Sequence, residues 1–235
     1  MQITIEVLRR ENAEAAPHWE RFSCEADSSA TVMTALIDRN AQLATEGKPV
    51  IAYECSCLQK KCGACAMVIN GRPCLACDAK LLDVQKKGVI RVEPLRKFPV
   101  IADLIVDRHV LYENLKALHS WLESECIADG KQAELAYEAS RCLQCGCCLE
   151  VCPNFCPGEK FFGMSAAATA SRLLEQLPPS ERRELEKAYS RHFYSGCGKS
   201  LACRDICPAG IDTESLMVNS NAAAVWKFLG RRKHG

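Results

Sequence analysis

Cysteine is the residue type in this chain whose number and spacing could support the most chemistry. There are 17 cysteines in 235 residues, and most of them fall into three short groups. Thiolates are soft ligands that bind zinc and the iron of iron–sulfur clusters. An odd number of cysteines, with no secretory signal pattern in "MQITIEVLRR", argues against the disulfide frameworks of small secreted domains. None of the five histidines lies inside a cysteine group, which weakens the case for mixed Cys/His zinc sites.

The first group has the plant-type ferredoxin spacing C-x4-C-x2-C followed by a more distant cysteine, which is typical of a [2Fe–2S] cluster. The predicted ligands are Cys57, Cys62, Cys65 and Cys77. Gly63 lies within this loop and permits a close approach of the backbone, whose N–H groups can then tune the sulfurs. Cys55 and Cys74 do not fit the spacing, and we interpret them as small buried residues. A zinc site on the same cysteines is the alternative.

The second group, "CLQCGCCLEVCP", contains the C-x2-C-x2-C-x3-C-P run of bacterial two-cluster ferredoxins. In such ferredoxins the fourth cysteine of a run binds the other cluster. The third group, "CGKSLACRDICP", supplies the partner run, but Ser200 stands where its second cysteine would be. The crossover rule therefore predicts a [4Fe–4S] cluster with the ligands Cys142, Cys145, Cys148 and Cys207.

Three thiolates remain for the other cluster, which predicts a [3Fe–4S] cluster that lacks one corner iron. Its predicted ligands are Cys152, Cys197 and Cys203. With fewer thiolates around it, this cluster should have a higher reduction potential than its neighbour. Two alternatives stay open, because Ser200 could itself be a ligand and a spare cysteine such as Cys156 could supply a fourth thiolate. The unassigned cysteines are Cys24, Cys55, Cys74, Cys126, Cys147 and Cys156. We interpret Cys147, which falls between ligand positions, as a packed spectator.

The elements that must position the first group are mainly strands. Ile3, Ile5 and Val7 alternate with polar residues, as in a half-buried strand. The Asn70-Gly71 pair between two apolar runs indicates a hairpin turn. One helix is predicted at "TVMTALIDRNAQL", with caps offered by Asp27–Ser29.

Further along, the apolar spacing becomes helical. Six segments have this spacing: "VIADLIVD", "LYENLKALHSWLE", "KQAELAYEAS", "GMSAAATASRLLEQL", "SERRELEKAYSRHF" and "TESLMVNSNAAAVWKFL". We therefore predict an α+β chain with a boundary near residue 105. The mixed domain would cover residues 1–105, and the helical domain would cover residues 106–235 with the other two cysteine groups.

The composition argues against several classes of protein. The net charge is +1, from 30 basic and 29 acidic residues, so nothing points to a nucleic acid partner. No apolar run approaches the ~18–20 residues of a membrane span. The sequence contains no G-x-G-x-x-G, no P-loop and no nucleophile-and-base set. Three different clusters without a flavin or nicotinamide motif indicate electron transfer, with the substrate chemistry on partner proteins.

Four segments are together highly specific: "CLQKKCGACAMVINGRPCLAC", "PVIADLIVDRHVLYENL", "CLQCGCCLEVCP" and "CGKSLACRDICP". Through them the chain resembles the iron–sulfur subunits of succinate dehydrogenase and fumarate reductase over nearly its full length. The resemblance implies a plant-type ferredoxin β-grasp domain followed by an all-α, bacterial-ferredoxin-like domain. Its cluster ligands agree with those assigned above from spacing.

The resemblance also implies partners. An FAD-containing flavoprotein would interconvert succinate and fumarate, and a membrane anchor would exchange electrons with a quinone. Electrons would pass between them through the [2Fe–2S], [4Fe–4S] and [3Fe–4S] clusters. The chain would then be a peripheral subunit on the cytoplasmic face of the bacterial inner membrane, held there by its partners.

One stretch departs from the family pattern. Many members carry tryptophan after the Cys-Pro that matches Cys152-Pro153, and histidine after the cysteine that matches Cys197, beside a quinone pocket. Here the first stretch reads "CPNFCPGEKFF", and Gly198 takes the place of the histidine. This resembles the branch whose membrane anchor carries haem and binds quinone elsewhere. Two other readings stay open: a fumarate reductase fed by thiols or another soluble donor, and a soluble multi-cluster ferredoxin.

Overall fold

The computed structural model describes residues 1–122, 125, 130–178 and 180–226. The chain divides into two units, Met1–Arg108 and His109–Gly235. The first unit holds a mixed sheet with short helices, and the second is built from helices, so the predicted α+β class is confirmed. Cys126 and the end of the last predicted helix lie outside the described residues.

A five-stranded sheet forms the centre of the first unit. Its strands are β1 (Gln2–Arg9), β2 (His18–Glu25), β3 (Ala66–Ile69), β4 (Arg72–Leu75) and β5 (Val89–Glu93). Their order is β2-β1-β5-β3-β4, with β1 parallel to β5 and the other neighbours antiparallel. The alternating Ile3, Ile5 and Val7 of β1 are at most 1% exposed, as predicted for a strand with one buried face. The hairpin turn at Asn70-Gly71 is confirmed, and both of its residues have positive φ.

The helix of the first unit is α1 (Val32–Thr45), which is followed after β4 by the single turn α2 (Leu81–Val84). The cap of α1 differs from the prediction. Thr31 is the N-cap, and its side chain accepts a hydrogen bond from Thr34 N while the Thr34 side chain accepts one from Thr31 N. This reciprocal pair satisfies two free N–H groups of the first turn. Asp27 instead closes a turn ahead of the helix, by accepting from Ser29 N and Ala30 N.

The predicted helix at "VIADLIVD" is wrong. The segment forms a two-stranded hairpin of β6 (Val100–Ala102) and β7 (Ile105–Val106), and the turn contains Asp103 at φ 42°. The Asp103 carboxylate accepts hydrogen bonds from Arg9 Nε at 2.9 Å, Arg10 N at 2.8 Å and Ala52 N at 2.8 Å. The hairpin is therefore fixed by bonds from distant segments, which the local apolar spacing does not encode.

The second unit contains α3 (His109–Ala117), α4 (Gly130–Ser140), α5 (Cys147–Glu150), α6 (Gly163–Gln176), α7 (Arg183–Tyr189) and α8 (Thr213–Asn221). The other five predicted helical segments each overlap one of these helices, although α3 and α4 begin two residues and one residue earlier than predicted. α4, α7 and α8 all pack against α6, whose Ala166, Ala167 and Ala170 are at most 2% exposed and allow a close approach. α7 and α8 continue directly into π-helical turns at Ser190–Tyr194 and Ala222–Trp226. Within the described ranges, no helix is long and apolar enough to cross a membrane.

Candidate metal centres

The loop that begins at Cys57 turns its backbone N–H groups toward cysteine sulfurs. The N–H groups of Gln59 and Lys61 both donate to Cys57 Sγ, with N···S distances of 3.3 Å. Lys60 N donates to Cys77 Sγ at 3.4 Å. One short loop therefore contacts the first and the last of the four cysteines predicted to bind the [2Fe–2S] cluster.

The thiols of this first group differ strongly in acidity. The N–H donors of Gln59 and Lys61 lower the pKa of Cys57 from 9.0 to about 7. Burial raises the pKa of Cys65 to about 12. Cluster ligands are thiolates. Near pH 7 about half of Cys57 is ionised, whereas Cys65 needs the positive charge of a metal to ionise.

Cys55 belongs to the same group of sulfurs, although its position in the sequence does not fit the spacing. Burial raises the pKa of the Cys55 thiol, and the nearby Cys77, Cys62 and Cys57 raise it further. Both Cys55 and Cys74 are half-buried rather than buried, in contrast to the expectation from the sequence. Cys147 is fully buried, as expected for a packed spectator.

The second group of cysteines surrounds one cavity in the second unit. The cavity is lined by all four residues predicted to bind the [4Fe–4S] cluster: Cys142, Cys145, Cys148 and Cys207. Burial raises the pKa of Cys148 well above its ordinary value, and Cys145 and Cys142 raise it further. Cys207 therefore lies beside the run of cysteines at 142–148, although about 60 residues separate them in sequence.

Gln144 supplies a side-chain donor to this second group. Its Nε2 lies 3.4 Å from Cys142 Sγ, 3.1 Å from Ser165 O and 3.2 Å from Thr169 Oγ1. The Oε1 atom of the same carboxamide is buried and has no partner among the described residues. Gln144 is not predictable from the sequence, because a cysteine spacing does not mark a donor between two ligands.

The predicted ligands of the [3Fe–4S] cluster line another cavity of the helical unit, named the third cavity after its cluster. Its wall includes Cys152, Cys197 and Cys203, together with Ser200 and Cys148. Burial raises the pKa of Cys203, and the neighbouring Cys152 and Cys197 raise it further. The rest of the wall is mainly apolar and includes Phe161, Met164, Phe193 and Met217. Among the described residues, Cys156 is not part of this lining, and it is exposed.

All three cysteine loops share one backbone feature. Each contains a pair of positive-φ residues spaced two apart: Leu58 and Lys60, Gln144 and Gly146, and Lys199 and Leu201. Alternating left-handed residues turn successive N–H groups toward one side and form an anion-binding concavity, which is common at iron–sulfur sites. Five of these six residues are not glycine, so the conformation is not explained by glycine's backbone freedom. The backbone conformation of each loop thus suits a bound, negatively charged group.

The wall of the third cavity also explains the departure at Gly198. A Cβ atom on Gly198 would lie 3.1 Å from Asn154 Nδ2 and 3.3 Å from Asn154 Oδ1. Asn154 is held there because its Nδ2 donates to Gly196 O at 2.7 Å. The carboxamide of Asn154 therefore occupies the space next to residue 198. Lys199 lies nearby, with its Nζ 5.7 Å from the centroid of the Tyr194 ring.

No three His, Cys, Asp or Glu side chains among the described residues are placed to bind one metal ion together. An iron–sulfur cluster spreads its protein thiolates over several irons. Cysteines that hold a cluster therefore need not converge on the position of a single ion.

Comparisons with known proteins also identify iron–sulfur domains in this chain. A family model for a 2Fe-2S iron-sulfur cluster binding domain matches residues 4–113. A family model for a 4Fe-4S dicluster domain matches residues 138–211. The chain is thus an iron–sulfur protein of the electron-transfer class.

Individual relatives define it further. The succinate dehydrogenase iron-sulfur subunit of Bacillus subtilis (strain 168) is 32% identical over 242 residues, which cover 95% of this chain and 94% of the relative. The fumarate reductase iron-sulfur subunit of Wolinella succinogenes is 28% identical over 229 residues, covering 91% and 93%. The chain belongs to the family of succinate dehydrogenase and fumarate reductase iron–sulfur subunits. A solved chain of the Mycobacterium smegmatis Sdh1 complex in the apo form shares the fold, with a TM-score of 0.76, 22% identity and coverage of 94% and 96%.

Proposed function

We propose that the three cysteine groups hold three different clusters. The [2Fe–2S] ligands are Cys57, Cys62, Cys65 and Cys77. The [4Fe–4S] ligands are Cys142, Cys145, Cys148 and Cys207. The [3Fe–4S] ligands are Cys152, Cys197 and Cys203. The proposal is supported by the grouping of these sulfurs around one N–H-rich loop and two cavities.

The three-iron cluster is favoured at the third cavity because Ser200 takes the position of a fourth thiol. Ser200 lines the cavity, between the left-handed residues Lys199 and Leu201. The oxygen of a hydroxyl is a harder ligand than sulfur, and a hydroxyl is a much weaker acid than a thiol. Serine is therefore a poor iron ligand near neutral pH. The spare Cys156 does not contribute to the described wall of this cavity.

The function that this arrangement supports best is electron transfer within a succinate dehydrogenase or fumarate reductase complex. When bound, the clusters supply one-electron chemistry. The chain's own residues hold the clusters, donate N–H groups to the sulfurs and surround two of them with buried side chains. The partners would be an FAD-containing flavoprotein, which carries the dicarboxylate chemistry, and a membrane anchor with quinone. The chain would be peripheral, on the cytoplasmic side of the bacterial inner membrane. Its two units would have the ferredoxin folds that the sequence resemblance implies.

The filling of the space beside Gly198 supports a specific form of this proposal. The Asn154 carboxamide lies beside Gly198, the position where the family resemblance implies a histidine, and its hydrogen bond to Gly196 O holds it there. We therefore expect electrons to leave toward a haem of the membrane anchor rather than toward a quinone bound against Gly198. Purification of the intact complex, followed by measurement of its haem content, would test this form of the proposal. A haem-free complex that reduces quinone would contradict it.

The cluster assignment is tested by low-temperature electron paramagnetic resonance of anaerobically purified protein during stepwise reduction. We expect a near-isotropic signal in the oxidised protein, which disappears first on reduction, and then separate [2Fe–2S] and [4Fe–4S] signals. An oxidised protein without that signal, followed by two four-iron signals, would overturn the three-iron assignment.

Ser200→Cys is the variant that separates the alternatives at the third cavity. We expect it to favour a [4Fe–4S] cluster there, with loss of the oxidised signal and a lower potential. Ser200→Ala should keep the three-iron signal, because the hydroxyl is not a ligand in this proposal. If Ser200 were instead the ligand of a fourth iron, wild-type protein would lack the oxidised three-iron signal and Ser200→Ala would gain it.

The partners are tested independently of the clusters. A stable complex with a flavin-containing subunit, isolated by a tag on this chain, is the expected result. A chain that carries all three signals but purifies alone would favour the soluble ferredoxin. A stable complex that oxidises thiols would favour the thiol-fed fumarate reductase.

A further inference from the structure

Arg108, at the end of the first unit, holds the loop between two of the proposed [2Fe–2S] ligands. Its Nη1 donates to Gly63 O at 3.1 Å, and its Nη2 donates to Ala64 O at 3.0 Å. The same guanidinium forms an ion pair with Glu54. The Arg108 side chain is 15% exposed, so its charge lies largely out of water.

The two carbonyls belong to the only residues between Cys62 and Cys65. Arginine presents its donors in a rigid, planar fork, so two hydrogen bonds to neighbouring carbonyls fix both the position and the orientation of the segment. In a trans peptide the N–H points away from the C=O. The peptide N–H groups of Ala64 and Cys65 therefore face away from Arg108, and a cation on the carbonyl oxygens polarises them into stronger donors.

We infer that Arg108 is a positioning residue for the [2Fe–2S] centre and raises its reduction potential. This inference rests on the ligand set proposed above. Reduction adds a negative charge to the cluster, and a nearby, poorly solvated cation stabilises that charge more than water would. Glu54 carries the opposite charge beside Arg108 and partly offsets this effect. The two residues should therefore act on the potential with opposite signs.

The test is a redox titration of the full chain, purified anaerobically and monitored by the [2Fe–2S] paramagnetic resonance signal. Arg108→Gln removes the charge and should lower the midpoint potential. Glu54→Gln removes the opposing charge and should raise the midpoint potential by a smaller amount, because Glu54 is 45% exposed and solvent screens part of its charge. Arg108→Lys keeps the charge but loses the fork, so its potential should stay nearer to wild type while the g values of the signal change.

Arg96→Gln is the matched control in the same unit. Arg96 also pairs with a carboxylate, Glu93, but its side chain is 53% exposed, so solvent screens its charge and no shift is expected. A purely structural role for Arg108 could reduce the cluster content, but it would not produce opposite shifts in the Arg108→Gln and Glu54→Gln variants.

The inference is overturned if Arg108→Gln and Glu54→Gln both titrate at the wild-type potential, or if both shift in the same direction. If Arg108→Gln does not fold, Glu54→Gln and Arg108→Lys are each compared with wild type instead. The inference is then overturned if the potential of Glu54→Gln and the g values of Arg108→Lys are both unchanged. A wild-type protein without a [2Fe–2S] signal would contradict the proposed ligand set instead.

Discussion

Arg9 Nε donates to Asp103 Oδ1 at 2.9 Å. This ion pair joins β1, the first strand of the unit, to the β6–β7 hairpin near the end of the same unit. Both side chains are less than 10% exposed. The same carboxylate accepts from the backbone of Arg10 and of Ala52. Asp103 is thus the point at which three separated segments of the first unit meet.

Replacement of Asp103 should destabilise the first unit strongly. Asp103→Ala leaves the buried Arg9 guanidinium and two backbone N–H groups without this acceptor, which costs about 3 kcal/mol. The thermal unfolding midpoint, followed by circular dichroism, should fall clearly. Glu46→Gln, which removes an exposed ion pair with Lys48, is the control and should change stability by less than about 0.5 kcal/mol. Equal midpoints for the two variants would contradict this role of Asp103.

Gly163, the first residue of α6, should not tolerate a methyl group. It has φ +74°, and a Cβ there would lie 2.2 Å from Leu149 Cδ2, next to the proposed [4Fe–4S] loop. We expect Gly163→Ala to cost about 3 kcal/mol, from overpacking and from the left-handed conformation, and to reduce the iron content per chain. Gly158→Ala is the matched control: it has φ +81° but nothing within 4 Å, so it should cost only about 1 kcal/mol. Similar losses in both variants would show that crowding against Leu149 is unimportant.

Gln144 should tune the proposed [4Fe–4S] cluster. Gln144→Leu removes the Nε2 donor to Cys142 Sγ, and the loss of a hydrogen bond to a cluster sulfur lowers the reduction potential. Thr169→Val removes a competing acceptor of the same Nε2, so its potential should be equal to or above that of wild type. Both are measured by redox titration of the [4Fe–4S] signal. A lower potential in Thr169→Val would mean that the helix contact, rather than the sulfur contact, sets the effect.

The acidity of Cys57 predicts a pH dependence in iron-free, reduced protein. Its pKa is lowered to about 7 by the N–H donors of Gln59 and Lys61, so its thiolate forms as the pH rises through about 7. The pKa of Cys74 is raised to about 11, mainly by burial, so that residue stays protonated. Because thiolates are the nucleophiles, alkylation by iodoacetamide should reach half of its maximal rate near pH 7 at Cys57 and remain slow at Cys74. Mass spectrometry of the modified peptides measures both rates, and a common midpoint near 9 would contradict the prediction.

Much of the fold could be predicted because it depends on local patterns. β1 was recognisable because Ile3, Ile5 and Val7 alternate, and the β3–β4 turn because Asn70-Gly71 accepts positive φ. The hairpin at 100–106 was mistaken for a helix because its apolar residues also suit helical spacing. The Asp103 carboxylate stabilises the hairpin by accepting hydrogen bonds from Arg9 Nε and Ala52 N. Such long-range bonds leave no local pattern in the sequence.

The cysteine groups were recognisable for a similar reason, since a short loop around a cluster imposes fixed spacings on its ligands. The surroundings were not. Gln144 reaches Ser165 and Thr169 on α6 because the helices pack in that way, and the sequence gives no sign of the contact. Arg108 contacts a loop more than 40 residues earlier in the chain. Residues that tune a centre are identified from tertiary contacts, whereas residues that bind it are identified from spacing.

The contact between Asn154 and Gly198 has a consequence for how this sequence can change over time. A Cβ at 198 would lie 3.1 Å from Asn154 Nδ2, so the carboxamide would have to shift while it is held by its hydrogen bond to Gly196 O. A larger side chain at 198 is therefore accommodated more easily when residue 154 is smaller. Among descendants of a common ancestor, the two positions should covary, and lineages with a bulky residue at 198 should have lost the asparagine.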